Sequence, residues 1–133
     1  MKFAKIFLIA ACLGLVPIAL GYGLMPVKTM KMMFGLEVAA PNGVHIFRAI
    51  MGLYLALVVF WSMGVKNEKF TRPAVYSLIV FMFGLAAGRA LSLLVDGVPH
   101  WLLTAYMILE IGFGVVGLQV LKAMDKDENK SNS

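Results

Sequence analysis

The chain has 133 residues, of which 61 % are hydrophobic and 14 % charged, with a mean hydropathy of +0.87. Soluble domains carry about 25 % charged and 45–50 % apolar residues, so this composition excludes a water-soluble globular protein and makes lipid the solvent. Twelve Lys and Arg against seven Asp and Glu leave a formal charge of +5. These basic residues mostly end apolar runs, which suits anionic headgroups and gives no support to nucleic-acid binding.

A helix needs about 20 residues to cross ~30 Å of hydrocarbon, so the spacing of charges delimits the spans. Between Lys5 and Lys28 lie 22 uncharged residues, predicting a first span over residues 3–25. Pro17 removes a backbone bond there and is expected to kink it. The same segment has the outline of a secretory signal, and Ile9-Ala10-Ala11-Cys12 that of a lipoprotein cleavage box. The apolar stretch before Cys12 is short and Leu13 to Gly21 prolong it, which favours a retained helix. As the one cysteine, Cys12 excludes an internal disulfide and any CxxC motif.

From Pro26 to Gly43 the chain is not plainly polar. Val27, Met30, Met33 and Phe34 recur at helical spacing, which fits a short amphipathic surface helix, while a loop over the bundle mouth fits as well. Asn42 is a candidate cap for the second span. Seventeen uncharged residues separate Arg48 from Lys66, enough for a span over residues 44–64 that begins ahead of Arg48. Beyond Arg72 the apolar sequence is interrupted by Arg89, Asp96 and Glu110. Asp96-Gly97-Val98-Pro99 has the chemistry of a reversing turn, dividing this stretch into spans over residues 74–95 and 101–121. Arg89 and Glu110 are thereby placed below the membrane surface. The polar tail, residues 122–133, has nothing to bury and is expected to be disordered.

These elements make an all-α integral membrane protein, a compact bundle of four transmembrane helices with both termini on one side. Eight basic residues (Lys2, Lys5, Lys66, Lys69, Arg72, Lys122, Lys126 and Lys130) lie on that side, against Lys28 and Lys31 on the other. By the positive-inside rule both termini are expected to be cytoplasmic. Small residues three or four apart mark expected helix contacts: Ala10 and Gly14, Gly52 and Ala56, Gly84 with Gly88 and Ser92, and Gly114 with Gly117.

Charges deep in a bilayer are kept only where they are sheltered, so Arg48, Arg89 and Glu110 are the candidate site. Arg48 leads into the Gly52 and Ala56 stripe, Glu110 into that of Gly114 and Gly117, and Arg89 shares a side with Ser92 and Asp96. An interior cluster of Arg48, Arg89, Ser92, Asp96 and Glu110 is expected, with His45 and His100 near its mouth. Two uses compete: ion pairs that set helix register, or an outward-facing pocket for a lipid headgroup or small amphiphile. The histidines have no metal-ligand spacing, and no phosphate loop, serine elbow or HExxH motif is present, so neither metal nor cofactor is expected.

The run Gly88-Arg89-x-x-Ser92-x-x-x-Asp96-Gly97-x-Pro99, with Glu110 after it and Arg48-Ala49-x-x-Gly52 before it, resembles an uncharacterised family of small bacterial four-helix membrane proteins. The family often has a doubled glycine where this chain has Met51-Gly52. The resemblance covers nearly the whole chain and implies an architecture distantly similar to DoxX-like membrane proteins, but no activity. Binding or transport of an amphiphile, an assembly role with a membrane-protein partner or a second copy, and a membrane enzyme using Glu110 as acid or base are the functions to weigh, the enzyme having the least support.

Overall fold

The computed structural model describes residues 1–133 and consists of five helices without strands: α1 (Lys2–Gly23), α2 (Pro26–Phe34), α3 (Asn42–Lys66), α4 (Glu68–Val95) and α5 (Trp101–Asn132). All but α2 are long and apolar enough to cross a bilayer. The helix α1 runs through Pro17. Gly35, at φ 66°, ends α2, and Gly97, at φ 97°, makes the turn between α4 and α5, a backbone region L-residues enter only with strain. The Asn67 side chain caps α4 by accepting from the Lys69 amide at 3.0 Å, and His100 caps α5 by accepting from the Leu102 amide at 3.2 Å. Asn42, expected as a cap, is instead the first residue inside α3 and makes no cap bond; Pro41 precedes it.

Between α1 and α3 the chain forms a helix, not a loop. Met30 faces inward at 2 % exposure, and the Phe34 ring meets His100 edge-on with centroids 5.6 Å apart. So α2 crosses one end of the bundle, from α1 to the α4–α5 turn. At the other end, residues 122–132 continue α5 where the sequence suggests a disordered tail. Two things anchor that extension. Val120 and Met124 are buried, and Arg72 of α4 reaches Asp125 and Glu128, each at 2.9 Å, on one face of α5.

In the bundle α1 packs on α3, α3 on α4, and α4 on α5, while α1 closes the ring against α5. The densest core lies toward the termini, where Leu8, Trp61, Val75, Leu78 and Val120 are wholly enclosed. Polar groups there satisfy one another, as a water-free interior requires. Trp61 Nε1 donates to Ser77 Oγ at 3.0 Å, Ser77 donates to the Ala74 carbonyl at 2.8 Å, and Thr71 donates to the Gly64 carbonyl at 2.6 Å. Phe7 of α1 meets Phe113 of α5 with centroids 5.8 Å apart.

The close helix contacts differ from those expected. Gly114 and Gly117 do admit Phe83 and Ile79 of α4, and Gly64 admits Ala74. Gly14, Gly52, Gly84 and Gly88, by contrast, have no neighbour where a side chain would begin. The reason is a change of partner along one face. On α4, Ser77 and Phe81 meet Trp61 and Tyr54 of α3, but Gly84, Gly88 and Ser92, farther along the same stripe, are exposed where the two helices separate. Gly64→Val is therefore expected to destabilise the folded protein by about 1–3 kcal/mol, because its first carbon would meet Ala74 at 2.6 Å and the Phe70 carbonyl at 3.2 Å. Gly52→Ala and Gly84→Ala should leave it unchanged or stabilise it by roughly 0.5–1 kcal/mol through helix propensity. Unfolding midpoints of the purified variants in detergent check the contrast.

Candidate functional site

Nine residues into α5, about 13 Å along its axis, Glu110 turns into the bundle and is 7 % exposed. Arg89, six residues before the end of α4, meets it: Nε donates to both carboxylate oxygens, at 2.9 and 3.0 Å. Antiparallel packing across the Gly97 turn brings them to one level. Glu110 engages only Nε, which leaves Nη1 and Nη2 to other groups, with the Tyr22 side chain beside the guanidinium. The guanidinium lies 5.7 Å from the Tyr106 ring centroid, in reach of its π face. Tyr54 of α3 is buried opposite, its ring edge-on to Tyr22 and Phe81.

Beside this pair is a cavity of about 130 Å³ bounded by α1, α4, α5 and Tyr54. Arg89, Glu110, Tyr54 and Tyr106 supply its polar groups, and the remaining wall is almost wholly apolar, including Leu15, Ile18 and Phe113. Gly14 of α1 and Leu109 of α5 line it and are themselves exposed, so it reaches the surface between those two helices, beyond the Phe7–Phe113 contact. Ile18 and Tyr106 also border a second space of about 180 Å³ beneath Met30 and Phe34 of α2. Arg89 also borders a third, of about 90 Å³ between α4 and α5, with Ser92 and Thr104.

The five residues singled out in the sequence do not form one cluster. Arg89 and Glu110 pair. Ser92 donates to Asp96 at 2.7 Å, a local bond between residues four apart on the exposed end of α4, with Ser92 also bordering the space next to Arg89. Arg48 is exposed and pairs with neither carboxylate. The inward residue of α3 is Tyr54, and at about 100° per residue Arg48, six positions earlier, is rotated about 120° away from it. The outward Gly52 and Ala56 stripe carries Arg48 with it. His45 is exposed, and His100 is used as a cap and as an aromatic contact. Sequence reasoning missed the tyrosines: Tyr22, Tyr54 and Tyr106 fit interfacial belts and packing, although Tyr106, four residues before Glu110, shares its helix face.

The fold and site together define a small all-helical protein with four helices fit to span a bilayer and one guanidinium–carboxylate pair inside the bundle. The chain belongs to the family described as "Domain of unknown function (DUF4345)", which matches residues 3–121. Neither a curated protein nor a solved structure matches it.

Proposed function

We propose that this is a multi-pass protein of the bacterial inner membrane, with cytoplasmic termini, that binds a small amphiphile between α1 and α5 or aids its transport. The carrying observation is the cavity that is apolar along most of its wall, polar at Arg89 and Glu110, and open between two membrane-length helices. An outward-facing mouth, the sequence expectation, is not the favoured route, because α2 crosses that end of the bundle. Entry from the side suits a ligand delivered by lipid. The excess of Lys and Arg at the end holding the termini supports the orientation.

An alternative is an assembly subunit, which the exposed Gly84, Gly88 and Ser92 stripe favours, since small residues allow another helix to approach closely. Gly14→Phe separates the two. A Cβ built at Gly14 meets nothing within 4 Å, and Gly14 lines the cavity where it reaches the surface, so a phenylalanine there is aimed at obstructing its mouth. The variant is expected to fold normally and to lose bound amphiphile in native mass spectrometry of gently solubilised protein. Unchanged amphiphile with a stoichiometric protein partner, lost instead on Gly84→Phe, would establish the assembly role.

A further inference from the structure

We propose that the ligand is a single-chain amphiphile with an anionic oxygen headgroup, a carboxylate or a phosphate monoester, held by Nη1 and Nη2 of Arg89, a reading that rests on the cavity being a binding site. Arginine has five N–H donors in a planar fork; Glu110 occupies only the one on Nε, and the Tyr22 hydroxyl, beside the guanidinium, can accept from no more than part of the other four. The two terminal nitrogens present the edge that grips an oxyanion with two parallel bonds. They are accessible rather than enclosed, so a ligand can reach them, and away from bulk water such donors favour a charged acceptor. The chain's other acidic group nearby does not supply them, because Asp96 accepts from Ser92 at the exposed end of α4.

The surroundings select the rest of the molecule. Arg89 stands where the apolar cavity adjoins the smaller space bordered by Ser92 and Thr104, and the Thr104 hydroxyl suits a small oxyanion, the Ser92 hydrogen being given to Asp96. The Arg89 guanidinium repels a cationic head, and the Glu110 carboxylate that would attract one is already paired with Arg89. The cavity of about 130 Å³ is far below the roughly 300–1,000 Å³ of sites for drug-sized ligands, so it admits the first part of one alkyl chain, the rest passing out between α1 and α5, rather than the two chains of a diacyl lipid.

The test is native mass spectrometry of the full chain in a nonionic detergent, titrated with dodecanoate, dodecyl phosphate, dodecanol or dodecyltrimethylammonium. The anions are expected to bind at least about tenfold more tightly than the alcohol, as two charge-assisted hydrogen bonds allow, and the cation least. Whether dodecanoate or dodecyl phosphate binds more tightly identifies a fatty acid or a phosphate monoester as the source. Arg89→Lys keeps a charge for Glu110 but loses the fork, and its preference for anions should fall about tenfold. Should that variant fail to fold, Arg89→Met/Glu110→Leu, which removes both charges, should still bind dodecanol and show no anion preference. Equal binding of alcohol and anions by the native chain, or an anion preference that survives the double substitution, overturns the headgroup assignment and leaves the cavity standing. Binding of all four probes by Gly14→Phe at native strength would overturn the cavity itself.

Discussion

Glu110→Ala is expected to lose roughly 3–5 kcal/mol of folded stability, seen as a collapse of folded yield or a large fall in the unfolding midpoint in detergent. Almost none of that loss is the pair's net worth. Bringing Arg89 and Glu110 out of water is expensive, and their mutual attraction largely offsets that penalty. Removing the carboxylate leaves a guanidinium whose side chain is only 23 % exposed and whose one ion-pair partner is gone. The double variant Arg89→Met/Glu110→Leu removes the penalty along with the attraction, and is expected to regain most of the stability lost by the single one. Equal stability of Glu110→Ala and the native chain would show that the pair is solvated, and the site would lose its physical basis.

A second large effect belongs to the packed end of the bundle. Trp61 is completely enclosed, set edge-on against Phe81 and hydrogen-bonded to Ser77 across α3 and α4. Trp61→Ala should destabilise by about 3–5 kcal/mol, because the interior can only partly close over the volume removed. Ser77 keeps its bond to the Ala74 carbonyl, so the effect comes chiefly from lost packing. Trp101, at 71 % exposure, is the matched control, and Trp101→Ala should lie within about 0.5 kcal/mol of the native protein. Chemical or thermal unfolding followed by circular dichroism measures both. If the two tryptophans gave equal effects, the division into a tight core near the termini and a looser half around the cavity would be wrong.

That division explains which inferences from sequence held. Helices long enough to cross a bilayer follow from runs such as the 22 uncharged residues before Lys28, since an apolar backbone in lipid must satisfy its own hydrogen bonds. The turn at Gly97 follows from its residues. Other features failed through lack of a partner in one dimension. The spacing of Gly52 and Ala56 resembles a contact stripe and predicts an inward Arg48, yet α3 buries the stripe of Tyr54 and Trp61 instead. The composition of the polar tail, which buries nothing of its own, predicts disorder, while Arg72, over fifty residues away, holds it as helix.

From its residues alone, the chain determines four helices long and apolar enough to span a bilayer and the reversal at Asp96 to Pro99, and it sets Arg89 and Glu110 within those apolar runs. Those properties depend on local composition and on the length of apolar runs. Only the tertiary structure decides which sheltered charge meets which, that α2 closes the bundle end, and that the cavity opens between α1 and α5. Each of those depends on helix rotation and on where neighbouring helices part, and small residues at a spacing of four permit close approach without specifying the face that uses it.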